Sequence, residues 1–138
     1  MRITSTVLTL GVALLTGACT ELPYAPVKYT SGLMTDTNGR ALYTFDKDVA
    51  GSGKSVCNGP CATNWPPFAA PANKGAGGDW SIVTRDDGSR QWAWAGKPLY
   101  YYAKDQQPGD VTGDNFNKIW RVVQKPATDY STGNFSGP

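Results

Sequence analysis

The sequence predicts a mainly β protein: duplicated antiparallel β-meander half-domains sharing one core, with a short helical turn near residues 61–68. Three observations predict it. First, one segment occurs twice, as Leu42-Tyr43-Thr44-Phe45-Asp46-Lys47-Asp48 and as Leu99-Tyr100-Tyr101-Tyr102-Ala103-Lys104-Asp105. Self-similarity of this kind marks a folding unit that is used more than once. Second, short alternating segments are separated by Asn-Gly and Asp-Gly turns, the pattern of hairpins. Third, no amphipathic segment of helical length competes with the strands after the leader.

The elements follow in order. Residues 19–31 contain Pro23 and Pro26 and read as a tether. Strand signals begin at Gly32. Residues 35–39 end in Asn38-Gly39, which predicts a type I′ hairpin turn with both residues at positive φ. Residues 40–45 alternate, with Leu42 and Thr44 on one face and Ala41, Tyr43 and Phe45 on the other. A polar loop covers 46–54. One helical turn over 61–68 is stopped by Pro66 and Pro67. Residues 69–79, with Pro71, Gly75, Gly77 and Gly78, link the halves.

The second half predicts strands at 80–84, 90–94, 99–103 and 119–124. Asp86-Asp87-Gly88 and 95–98 are its turns, and 106–114 is a loop. Repeat one spans 32–70 and repeat two 80–124. Residues 35–39 match 84–88, Tyr43 matches Tyr100, and Trp65 matches Trp120, with 91–96 as the insertion. Residues 126–138 have the composition of a disordered tail.

Residues 1–18 carry Arg2, an apolar run from Val7 to Leu15 and small residues before Cys19. The run is too short to span a bilayer. Leu15-Thr16-Gly17-Ala18-Cys19 resembles the bacterial lipobox, which implies cleavage before Cys19 and lipid on its thiol. Each buried acyl CH₂ contributes about 0.8 kcal/mol, so several chains hold a protein to a bilayer. Thr20 after the cysteine implies the outer membrane in a Gram-negative cell. With 13 Lys and Arg against 11 Asp and Glu, the chain has no nucleic-acid footprint. Cys57 and Cys61, the pair left beside the lipidation candidate, read as a disulfide in an exported protein.

Taken together, these residues resemble a bacterial family of secreted-repeat lipoproteins with a Tyr-x-(Phe/Trp/Tyr)-x-x-Asp motif and no known function. The matches are Tyr43, Phe45 and Asp48 in the first half and Tyr100, Tyr102 and Asp105 in the second. Cys57-Asn58-Gly59-Pro60-Cys61, Trp65-Pro66-Pro67, Pro108-Gly109-Asp110 and Trp120 add to them. The resemblance implies an exported, membrane-anchored β protein. It supplies no catalytic residues.

The chain has no histidine. This removes the commonest general base and the commonest transition-metal ligand. Cys57 and Cys61 lack Cys-x-x-Cys spacing and a βαβ context, so a structural bridge is favoured over a redox couple. Asp46, Asp48, Asp105, Asp110 and Asp114 are either turn caps or ligands for a hard cation. The repeat-equivalent positions of Asp48 and Asp105 favour capping. Trp92 and Trp94 share one strand face, and Tyr101 opposes Tyr100 and Tyr102, so Trp92, Trp94 and Tyr101 are candidate ligand-facing rings. The leading reading is a lipid-anchored envelope module that binds or scaffolds, with no catalytic residues, metal or cofactor. Its partners are the bilayer, through Cys19, and an envelope protein or glycan. The rivals are a metal-dependent or redox protein using the Asp clusters or Cys57 and Cys61, and a glycan-binding module using exposed aromatics.

Overall fold

The computed structural model describes residues 25–126. The leader, Cys19 and nearly all of the tail lie outside the described residues. The described chain is mainly β. It comprises β1 (Val27–Thr30), β2 (Leu33–Asp36), β3 (Tyr43–Phe45), α1 (Pro60–Asn64), β4 (Trp80–Thr84), β5 (Arg90–Trp94), β6 (Lys97–Pro98) and β7 (Trp120–Val122). A 3₁₀ turn covers Phe116–Lys118. Three antiparallel sheets form: β1-β2, β3-β7 and β4-β5-β6.

Two turns differ from expectation. β1 lies inside the stretch expected to be a tether, so the folded region starts before Gly32. It is a mostly exposed edge strand without a buried alternation, which is why composition hides it. Its hairpin turns through Ser31 and Gly32, both at positive φ. At Asn38-Gly39 only the glycine has positive φ. There the Asp36 carboxylate accepts the backbone N–H groups of Asn38 and Arg40, each at 2.9 Å. A side-chain acceptor therefore shapes this turn instead of a type I′ backbone.

Only β4-β5-β6 is a simple meander. β3 pairs with β7, which belongs to the other repeat, with Tyr43 opposite Val122 and Phe45 opposite Trp120. The equivalent strand of the second repeat returns the exchange, with Tyr100 bridged to Pro67. Tyr43 and Tyr100 themselves meet, each N–H donating to the other's carbonyl at 2.8 and 2.9 Å. The rest of the backbone repeats this two-fold relation. Asp46 N–H donates to Ile119 as Ala103 N–H does to Asn64. Met34 N–H donates to Val123 as Trp92 N–H does to Phe68.

That pairing makes β2 the counterpart of β5, and so corrects the expected alignment of 35–39 with 84–88. The counterpart of Gly39 is Gly96, and the added length of the second half lies in the longer β4–β5 turn. At both glycines the opposite half's loop closes in: Gly109 N–H donates to Gly39 carbonyl, and Gly51 N–H to Gly96 carbonyl.

Two buried clusters lie on the two faces of the Tyr strands. Met34, Leu42, Phe68, Trp92, Leu99 and Val123 fill one. Tyr43, Phe45, Cys57, Trp65, Tyr100, Tyr102 and Trp120 fill the other. The expected alternation holds: Leu42 and Leu99 enter the first cluster, and the flanking aromatics enter the second. Because both faces are covered, rings cannot be sorted into core and ligand-facing sets by alternation alone.

Gly96 carries a testable consequence. A Cβ there would stand 2.6 Å from Gly51 N, whereas one on Gly88 would meet nothing within 4 Å. Both have positive φ, 79° and 81°. Left-handed backbone costs a non-glycine residue about 1–2 kcal/mol, and overpacking typically adds about 1–3 kcal/mol. Gly96→Ala is therefore expected to lower the urea midpoint clearly more than Gly88→Ala. Equal losses would show that the approach of the Gly51 loop is not a tight constraint.

Candidate functional site

The repeated Tyr-x-aromatic-x-x-Asp segments converge at the two-fold axis, and their side chains cross it. Tyr43 hydroxyl donates to Asp105 Oδ2 at 2.6 Å. Tyr100 hydroxyl donates to Asp48 Oδ2 at 2.5 Å. Each tyrosine thus uses the carboxylate of the other repeat. The geometry is local in origin. A turn closes after each strand, with Asp48 N–H on Phe45 carbonyl and Asp105 N–H on Tyr102 carbonyl, both 3.1 Å. This turns each aspartate back beside the strand pair. The second oxygen of each carboxylate then caps a loop: Asp48 Oδ1 accepts Val56 N–H at 2.7 Å, and Asp105 Oδ1 accepts Thr112 N–H at 3.0 Å.

The rings form a stack across the axis. Phe45 lies on Trp120 with centroids 4.3 Å apart, Trp120 on Trp65 at 3.8 Å, and Trp65 on Tyr102 at 4.2 Å. Tyr43 meets Trp65 edge-on, and Tyr100 meets Trp120 the same way. Each such pair is worth about 0.5–1.5 kcal/mol beyond its buried area. The Cys57–Cys61 disulfide is formed. It spans the start of α1, and Trp65 N–H donates to Cys61 carbonyl as the helix ends. The bridge and the helix together deliver Trp65 to the stack.

The two ends of this brace differ chemically. Around Asp48 a buried cation is present. Arg85 donates through Nη1 to Ser55 Oγ at 3.0 Å and to Gln91 Oε1 at 2.7 Å. Its Nη2 donates to Cys57 carbonyl at 2.6 Å. Ser55 and Tyr100 hydroxyls lie 2.7 Å apart. Tyr100 spends its single proton on Asp48, so Ser55 is the donor between them. A continuous chain therefore runs from guanidinium to carboxylate through two hydroxyls. At the other end Asp105 receives Tyr43 and both the N–H and hydroxyl of Thr112.

Burial raises the phenols of Tyr43 and Tyr100 well above their usual range, and their aspartate partners raise them further. Burial also raises Asp48 above 3.8, against the opposing effects of Tyr100, Val56 N–H, Lys97 and Arg85.

Arg85, Ser55 and Gln91 were not singled out in the sequence. Arg85 precedes an Asp-Asp-Gly turn and looks like a surface cation. Strand alternation was the available signal, since Arg85 continues the face of Val83, which is buried.

The candidate ligand-facing rings are corrected in part. Trp92 is 0 % exposed, because its ring packs into the first buried cluster with Trp80 edge-on against it. Trp94 and Tyr101 are half-buried. Tyr101 is already engaged: its hydroxyl donates to Asp36 Oδ2 at 3.0 Å, and Arg40 lies 4.3 Å over its ring. The other aspartates are engaged as well. Asp46 pairs with Arg121 at 3.2 Å. Asp110 caps Gln106 and Gln107 N–H groups, and Asp114 caps Val122 N–H. Among the described residues no group of three or more acidic or cysteine side chains is arranged to hold a metal.

The model of a family described as a secreted repeat of unknown function matches residues 27–69 and 81–124. The chain belongs to that family, with two repeats. Their limits agree with a first repeat that begins at β1. A search of curated proteins and a search of solved structures return no match. Among the described residues no helix is long and apolar enough to cross a membrane.

Two expectations follow. Because Asp48 is raised, the native state binds more protons than the unfolded chain just above pH 3.8. Stability contributed at this position is then lost as pH rises through the raised folded value. Comparing urea midpoints across the acid range, Asp48→Asn should remove this falling component. An unchanged profile would mean that Asp48 keeps its ordinary titration in the fold. Replacing both Cys57 and Cys61 by Ser opens only a very small loop, so about 2 kcal/mol is expected to be lost. A much larger loss would show that the bridge is needed to place Trp65.

Proposed function

We propose that this secreted-repeat protein is a lipid-anchored envelope module that binds or scaffolds and does not catalyse. The observation that carries this reading is the reciprocal use of the repeated residues. A catalytic acid or base must present a proton-exchanging atom to a substrate. Tyr43, Tyr100 and Asp48 are almost fully buried, and their hydrogen-bonding atoms meet partners from the same chain.

What the brace leaves outward supports binding. It fixes two loops, 46–59 and 103–115, by their backbone at Val56 and Thr112. Val49 and Val56 are exposed on the first of these loops. Val111 is exposed on the second, and Phe116 just beyond its end. Fixed loops on a rigid scaffold are the usual place for recognition.

The anchor rests on the leader and Cys19, which stands shortly before β1. A chain from Cys19 to Val27 reaches at most about 30 Å, which would keep the start of β1 within that distance of the bilayer surface. Cys19→Ser is expected to move the protein from the membrane fraction to the soluble one, or to block its processing. Normal processing with membrane association intact would defeat the anchored reading.

A further inference from the structure

We propose that this fold can also close between two copies of the chain, by exchange of whole repeats. The inference starts from where the stabilising contacts run. Tyr43 bonds Asp105, and Tyr100 bonds Asp48. β3 pairs with β7, and Tyr100 with Pro67. Trp65 stacks on Trp120. All of these cross between residues 27–69 and 81–124, the two matched repeats. A repeat taken alone has an unpaired strand, a tryptophan without its stacking partner, and a carboxylate and a phenol without theirs. Its complement is the other repeat, and nothing in those contacts requires that repeat to come from the same chain. An exchanged dimer would reproduce each contact without any new interface, the situation in which swapping costs least.

The connection between repeats permits the opening. Residues 71–79 contain Pro71, Gly75, Gly77 and Gly78 and no named strand or helix. In the closed chain this segment rounds β5. Ala70 N–H bonds Arg90 carbonyl on one side and at one end, and Trp80 pairs with Trp94 on the other side and at the other end. Strand rise and spacing put those points about 16 Å apart in a straight line. Deleting residues 73–77 leaves a span of at most about 18 Å when fully extended, with no slack for the path around β5. In an exchanged dimer the same segment joins two separate domains and is free of that path. Shortening it therefore penalises the closed monomer and not the dimer.

Two experiments on the full chain test this. In the first, the 73–77 deletion and the unaltered chain are compared by size-exclusion chromatography with light scattering. The deletion is expected to turn the monomer largely into a dimer with an unchanged circular dichroism spectrum. A deletion variant that is folded and monomeric would overturn the proposal. The second does not depend on that variant folding. One chain carries Tyr43→Ala with Trp65→Ala, damaging repeat one. The other carries Tyr100→Ala with Trp120→Ala, damaging repeat two. Each should be unfolded alone. Refolded together, they should yield a dimer-sized species containing both chains, with native near-ultraviolet dichroism in about half of its domains. A mixture that behaves as the sum of its components, or two variants that each fold alone as stable monomers, would refute exchange.

Discussion

The fold depends on one constraint: neither repeat can satisfy its own Tyr-x-aromatic-x-x-Asp segment. The tyrosine at the first position turns its hydroxyl across the axis, where the carboxylate that receives it belongs to the other repeat. Two residues later, on the same strand face, comes the ring that lies on the other repeat's tryptophan. Three residues after that, beyond a tight turn, the aspartate receives the other tyrosine and caps a loop. Spacing and residue type are thus explained together. Alternation sets the two-residue step, and the turn sets the three-residue step. The hydroxyl and carboxylate are both buried, so each would carry an uncompensated desolvation cost of about 1–3 kcal/mol without its partner. That cost makes closure of one repeat conditional on the presence of the other.

The tryptophan pair adds to this condition. Trp65 and Trp120 lie face to face, with interplanar angle 4° and centroids 3.8 Å apart, and they come to the axis by different routes. Trp120 arrives on β7, paired directly with Phe45. Trp65 arrives at the end of a five-residue helix opened by Pro60 and tied by the disulfide. A helix this short gains little from its own hydrogen bonds. The covalent bridge and the stack supply what the helix lacks. The second half has no such bridge, and there a 3₁₀ turn at Phe116–Lys118 precedes the tryptophan. Gly113 shows how closely this loop approaches, since a Cβ on it would fall 2.7 Å from Trp65.

Much of this was legible in the sequence, for identifiable reasons. The repeat, the strands at 80–84 and 90–94 and the disulfide are local signals: periodicity, turn residues and cysteine spacing. The alternation at 41–45 also sorted its side chains correctly between two faces. What the sequence did not disclose is where those faces go. Trp92 and Tyr101 sit on strands whose patterns are equally compatible with one covered face or two. Only the packing of the whole fold decides: Trp92 enters the first cluster, and Tyr101 lies at its edge, held by Asp36 and Arg40. The alignment of 35–39 with 84–88 failed for a related reason. Turn composition is shared by unrelated hairpins, whereas the hydrogen bonds of Met34 and Trp92 identify the true counterparts. Arg85 was hidden because a cation beside Asp-Asp-Gly looks solvated, although its strand face is buried.

The same buried cation shows where the duplication has ceased to be symmetric. Backbone and aromatic contacts repeat faithfully across the axis, but Arg85, Ser55 and Gln91 have no counterpart around Asp105. Their network ties three separate segments: Arg85 at the β4 end, Ser55 and Cys57 in the first loop, and Gln91 on β5. A guanidinium spreads its charge over several donors in a fixed plane, which suits it to gathering carbonyl and hydroxyl oxygens from different segments. The Asp48 end thereby anchors the loop that carries the disulfide, while Asp105 itself reaches its loop through both donors of Thr112. The two loops leaving the axis are held by equivalent aspartates but by different neighbouring groups. The cation holds the first loop, and further bonds hold the second: Gly109 N–H to Gly39 carbonyl, and Val122 N–H to Asp114.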